Sequence, residues 1–141
     1  MLVHTGMGGP LMESLGGSIF FITALKDNTG FITAAPSKTK RMALEVLKTR
    51  IKQLETTTGV KVKRVRHDGS KEYLTHELKA WYEDKGITSE MTAPYKAQQT
   101  GKAERVNRTL MESVRAALID SGAEEELWAE ALASVVPVRN R

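Results

Sequence analysis

Residues Pro94 to Arg108 read P-Y-K-A-Q-Q-T-G-K-A-E-R-V-N-R. Pro94, Gln98, Gln99, Thr100 and Gly101 have the composition of a loop. The remainder opens a helix with one carboxylate, Glu104, in its first turn. One carboxylate alone does little. Its natural partner is Asp68, at the end of the apolar and basic run Val60-Lys-Val-Lys-Arg-Val-Arg-His67. Thirty-five residues lie between the two acids, room for one helix, one strand and one loop. A strand end and a helix start can therefore meet on one edge of a sheet, where two converging acids can hold a divalent cation.

Working outward, Ile19 to Leu25 and Gly30 to Ala35 are apolar runs separated by Asp27-Asn28-Thr29, a hairpin signal. Pro36 is expected to end the second strand, because it cannot donate to the ladder. Leu2 to Thr5 reads as a short first strand. Lys38 to Thr58 reads as a helix burying Ala43, Leu47, Ile51 and Leu54, with Gly59 beyond its end. Val60, Val62 and Val65 suggest a long third strand leading to Asp68. Thr75 can cap a helix that buries Leu78, Trp81 and Tyr82 and stops at Gly86, and Ile87 to Met91 is a short strand.

After the opening stretch, a helix from Lys102 to Ser121 buries Val106, Leu110, Val114 and Ala117, leaving Glu104, Arg108, Met111 and Arg115 on its other face. Gly122 ends it. A last helix from Glu124 to Val136 buries Leu127, Ala131, Leu132 and Val135. Its three leading glutamates complement the helix dipole, and Pro137 is expected to stop it. Trp81 and Trp128 read as core anchors. This order of elements predicts an α/β fold, a mixed sheet with helices packed on it, and the early strand pair argues against an all-helical one.

The length of 141 residues suits one domain, and 40% hydrophobic with 27% charged residues is ordinary for a globular protein. No apolar run approaches the ~20 residues that span a bilayer, so no membrane partner is expected. The start has no basic region followed by an apolar stretch, so secretion is not expected. Without cysteine there is neither disulfide nor thiolate zinc site, and His4, His67 and His76 lack companions for a zinc module. An intracellular protein is expected. The net charge of +4 conceals an asymmetry: Lys38 to Arg66 carries ten bases against two acids, whereas Thr109 to Val138 carries one base against six acids. A basic half suits a partner made of phosphates, although a charge run can equally be a solvated helix face.

Several stretches together resemble the catalytic core of retroelement integrases of the copia type. They are His4-Thr5 with Gly9-Pro10, Val65-Arg66-His67-Asp68 leading to Glu72-Tyr73, and Pro94-Tyr95 through Gln98-Gln99, Gly101 and Ala103-Glu104-Arg105 to Asn107-Arg108-Thr109. Leu127-Trp128-Ala129-Glu130 and Asn140-Arg141 extend the likeness over nearly the whole chain. The resemblance implies a ribonuclease H-like fold, a five-stranded mixed sheet whose first three strands are antiparallel. It also implies a polynucleotidyl transferase that uses Mg2+ or Mn2+ to process element DNA ends and join them to a target. Asp68 and Glu104 would be its catalytic, metal-binding acids. It would act as a homo-oligomer, in the nucleus for an active eukaryotic element. The zinc-binding segment that usually precedes such a core is absent, so the chain is expected to be a fragment of a longer polyprotein.

The departure from that pattern matters as much as the match. The family has three acids, the first in a segment resembling His-Thr-Asp-x-x-Gly-Pro. Here His4-Thr5-Gly6-Met7-Gly8-Gly9-Pro10 places Gly6 at that position, and no other acid occurs before Glu13. The resemblance implies that the missing acid bridges both metals in related enzymes, so weak metal binding and reduced turnover are expected. Gln99, Lys102, Arg105, Asn107 and Arg108 surround Glu104 and could meet DNA phosphates or a base, though each alone is also ordinary surface. Asp68 alone could serve a turn and Glu104 alone a helix dipole; the shared motif makes them a pair. Gly6 to Gly9 is no phosphate loop, since Pro10 breaks it and no helix follows. Asp27 is a conceivable substitute acid, but Asp is favoured in such turns anyway. Two functional classes remain: an impaired integrase-type transferase, or an inactive derivative that binds nucleic acid or self-associates. Gly6 favours the second.

Overall fold

The computed structural model describes residues 1–92 and 97–141, and of 97–100 the backbone alone. Pro94 and the side chain of Gln99 lie outside the described residues. Five strands, β1 (Leu2–Gly8), β2 (Phe20–Lys26), β3 (Ile32–Ser37), β4 (Arg64–His67) and β5 (Thr88–Met91), form one sheet in the order β3-β2-β1-β4-β5. The β1–β2 and β2–β3 pairs are antiparallel, and β1–β4 and β4–β5 are parallel. Among the described residues four α-helices accompany them: α1 (Lys40–Thr58), α2 (His76–Lys85), α3 (Ala97–Ser121) and α4 (Trp128–Arg139). The α/β class and the five-stranded mixed sheet are as expected.

Alternation along the central strands sorts the core into two layers. Ile22 and Ala24 of β2, with Val3 and Val65, face Ala43, Leu47, Ile51 and Leu54 of α1 and Leu78 and Tyr82 of α2. Phe21 and Leu25, with Ile32, face Leu110, Val114 and Leu118 of α3 and Trp128 and Leu132 of α4. Each fully buried Leu or Val in these layers stabilises the fold by about 2 kcal/mol relative to exposure. Helix ends follow local chemistry. Thr39 Oγ1 accepts the Met42 N–H at 3.0 Å and Thr75 Oγ1 that of Leu78 at 3.3 Å, while α1 and α2 stop at Gly59 and Gly86.

Several expectations need correction. β1 runs to Gly8, beyond Thr5, because pairing with β2 continues through Gly6↔Thr23 and Gly8↔Phe21. β3 passes through Pro36 to Ser37. Phe31 and Ser37 direct their carbonyls to β2, so Pro36 falls on the outward positions of an edge strand, where a missing N–H costs no ladder bond. β4 begins only at Arg64, although Val62 is buried. α3 begins at Ala97, so Gln98 to Gly101 are helical and Glu104 stands about two turns inside the helix. One glycine costs a helix only about 1 kcal/mol, less than the packing of the helix supplies. α4 continues through Pro137, whose single missing donor falls in the last turn. The buried stripe of α3 is Ala103, Leu110, Val114 and Leu118, with Val106 and Ala117 half-buried. Trp128 is a core anchor as expected, whereas Trp81 is only half-buried.

Candidate active site

The parallel pairing of β1 with β4 sets His4 beside Arg66, which carries the Gly6 and Asp68 ends of the two strands to the same rim of the sheet. α3 crosses above them. A Cβ added to Gly6 would stand 3.1 Å from both Ala103 Cβ and Asn107 Nδ2, so the helix rests almost on the strand backbone. The result is a small cleft of about 80 Å³ whose lining includes Gly6, His67, Asp68, Ala103, Glu104 and Asn107. Gly6, Asp68 and Glu104 therefore share one site. Asp68 and Glu104 are both exposed.

Hydrogen bonds fix the surroundings. Asp68 Oδ1 accepts the Ser70 N–H at 2.9 Å and the Ser70 hydroxyl at 2.5 Å. The Thr23 hydroxyl donates to Asn107 Oδ1 at 2.7 Å and lies 3.2 Å from the Gly6 carbonyl. Asn107 thus presents its Nδ2 donors toward position 6. Sequence reasoning singled out neither Thr23 nor Ser70. The Asp68-Gly69-Ser70 turn has a local signature, since Asp often caps the N–H two residues on. The Thr23–Asn107 contact spans 84 positions and has none.

Two acids outside the cleft pair with residues that line it, His4 and Arg66, and both are engaged. Asp27 Oδ1 lies 2.7 Å from Lys102 Nζ and 2.7 Å from His4 Nε2. The Lys102 hydrogen bond first, and that of His4 second, hold its carboxyl down at about 2. Burial keeps the His4 imidazole below its usual range, outweighing the Asp27 carboxylate, so a neutral ring donates its Nε2 proton to Asp27. Burial raises the Glu90 carboxyl, but Arg66, at 3.2 and 2.9 Å, and Arg64, at 3.2 Å, reverse that and hold it low. Among the described residues no three His, Cys, Asp or Glu side chains are grouped to hold a metal. Two carboxylates suit one hard cation that keeps its waters, and fall short of a two-ion centre.

Of the expected DNA contacts, Asn107 lines the cleft. Lys102 is committed to Asp27, Arg105 Nε bonds the Gly101 carbonyl at 2.9 Å, and Arg108 is exposed. Much of the basic first half is compensated from outside it: Lys40 pairs with Glu72, Arg41 with Glu77, and Arg64 and Arg66 with Glu90. These surface pairs contribute little stability but reduce the field offered to a polyanion. No helix among the described residues is long and apolar enough to cross a membrane.

No family model matches the chain. Over 99% of its length it is 34% identical to the retrovirus-related Pol polyprotein from transposon TNT 1-94 of Nicotiana tabacum, of which it covers 11%. Over 98% it is 30% identical to the transposon Ty1-DR4 Gag-Pol polyprotein of Saccharomyces cerevisiae, covering 9%. The chain thus spans about a tenth of the length of these relatives. A chain of the simian T-cell lymphotropic virus intasome, solved in complex with PP2A regulatory subunit B56 gamma, shares its fold. The TM-score is 0.73 at 16% identity, covering 93% of this chain and 46% of that one. The chain is homologous to a segment of copia-type retrotransposon Pol polyproteins, and its sheet and helices form a ribonuclease H-like fold.

Proposed function

We propose that this chain is a single integrase-type catalytic core, built for DNA processing and strand transfer and impaired by Gly6. The supporting observation is that Gly6, Asp68 and Glu104, distant in sequence, line one cleft. Asp68 and Glu104 would hold Mg2+ or Mn2+, which when bound neutralises charge at a phosphate and acidifies an attacking water. The chain's own part is to aim two carboxylates at one point and to offer the Asn107 amide beside them. Arg105 and Arg108, on the outer face of α3, would position the DNA backbone without reading its sequence. Element ends and target DNA are the partners of this reading, with assembly from several copies, in the nucleus for an active eukaryotic element.

A second reading, binding of nucleic acid or self-association without turnover, is favoured by a specific observation. Asp27, the conceivable substitute acid, and Glu90, which pairs with the cleft residue Arg66, are bound by Lys102, His4, Arg64 and Arg66. Nicking and strand transfer on a short duplex with Mg2+ or Mn2+ separate the two readings. The chain is compared with Gly6→Asp, and with Gly6→Asp carrying Glu104→Gln. Gain of turnover in Gly6→Asp, lost again with Glu104→Gln, supports the impaired core. Turnover of the unaltered chain that depends on Glu104 would remove the impairment. Salt-sensitive duplex binding with turnover in neither form would leave the second reading standing.

A further inference from the structure

The strand that delivers Asp68 ends on His67, whose side chain is buried. Its Nδ1 accepts the Gly69 N–H at 3.0 Å, and its Nε2 lies 2.8 Å from Ser89 Oγ on β5. A backbone N–H can only donate, so Nδ1 is unprotonated and the ring proton sits on Nε2, donated to Ser89. The ring stacks on Tyr73, centroids 4.8 Å apart and planes 13° apart. The Tyr73 hydroxyl lies 3.4 Å from Thr5 Oγ1, on the residue before Gly6. One buried ring is thus held from β5 and, through Tyr73, from β1.

It also meets the turn that carries Asp68. Gly69 has φ +83°, and a Cβ there would stand 2.3 Å from Met91 Sδ, so the turn is pressed against the neighbouring strand end. Within it, Asp68 Oδ1 holds Ser70 and His67 Nδ1 holds Gly69. We propose that His67 is the positioning residue of the acid site. By accepting the Gly69 N–H it fixes the turn that aims the Asp68 carboxylate into the cleft, and both its ring nitrogens are thereby engaged. The inference rests on the proposed function only for what Asp68 does once aimed.

The test uses the full chain and two readouts, amide hydrogen exchange at Gly69 and Ser70 by NMR and titration with Mn2+. His67→Phe keeps an aromatic ring on Tyr73 and removes both nitrogens. His67→Gln also removes the acceptor at Nδ1 and serves if the phenylalanine variant does not fold. His67→Asn places an amide oxygen where Nδ1 stands. Phe or Gln is expected to speed Gly69 exchange and weaken Mn2+ binding, each about tenfold, with Asn keeping both within about threefold of the parent. Unchanged Gly69 exchange in a folded Phe or Gln variant would overturn the proposal, as would Asn losing as much as Phe. Mn2+ binding that ignores Asp68→Asn would sink the metal reading instead, and Gly69 exchange would still decide the role of His67.

Discussion

The two halves of α3 are seated in opposite ways. Beyond Leu110 the helix lies in an apolar layer, with Val114 and Leu118 against Phe21, Leu25 and Trp128. Before it, Lys102 reaches Asp27, Asn107 takes the Thr23 hydroxyl, and Ala103 rests on Gly6. The same strand serves both halves and carries glycine in two different settings. A Cβ on Gly8 would stand 2.1 Å from the buried Phe21 ring, whereas one on Gly6 meets its nearest neighbours at 3.1 Å. Gly8 is therefore demanded by packing. Gly6 is tolerated by a site with room for something larger if α3 gives by a few tenths of an ångström.

The strongest way to sharpen this contrast is Trp128→Ala, which empties the apolar half and strands the Met12 carbonyl now bonded by Nε1 at 2.6 Å. It should cost about 4 kcal/mol by urea unfolding. Gly8→Ala should cost about 2 kcal/mol in the same assay, since the ring beneath it is enclosed. Thr23→Val, close in size but without the hydroxyl, should cost about 1 kcal/mol and broaden the Asn107 side-chain amide signals in NMR spectra. Gly6→Asp should change stability by less than about 1 kcal/mol while strengthening Mn2+ binding; a loss as large as that of Gly8→Ala would erase the distinction between the two glycines.

The smallest effect concerns acid. Asp27 has a depressed folded value, so its contribution is present above its ordinary 3.8 and is lost as pH falls toward about 2. His4 is depressed too, so the unfolded chain takes up its proton first and stability declines as pH drops below 6.5. Asp27→Asn should flatten the lower limb of the acid unfolding curve by well under 1 kcal/mol, because the carboxylate is more than a third exposed and screened. A curve unchanged below the ordinary carboxylate range would show that Lys102 and His4 do not hold Asp27 in solution.

What could be read from the sequence was whatever is encoded locally. The hairpin of β2 and β3 announced itself by two apolar runs around a turn, α1 by its apolar stripe and the glycine after it, and α2 by a threonine before and a glycine after. The meeting of Asp68 with Glu104 was legible because both acids sit in distinctive text and the elements between them fix where a parallel strand must return. The helical state of Gln98 to Gly101 was not, because turn-like residues were recruited by a helix whose stability comes from packing further along. Pro36 misled because its missing N–H, on the outward side of an edge strand, has no ladder partner to lose; Pro137 deprives the Ala133 carbonyl of its helical donor, a loss that the packing of Trp128 and Leu132 outweighs. The contacts that set the character of the site, Thr23 with Asn107 and Asp27 with Lys102, join residues 84 and 75 positions apart. Nothing near either partner points to the other.

Asn140, just after α4, accepts the Ile32 N–H at 2.8 Å and donates to the Ile32 carbonyl at 2.7 Å. Its amide thereby imitates one residue of an additional strand. With Ile32 satisfied this way and Pro36 offering no N–H, Ala34 is the one outward-facing residue of β3 whose donor and acceptor meet neither device. A single residue cannot template a ribbon, so this rim of the sheet is guarded against edge-to-edge polymerisation.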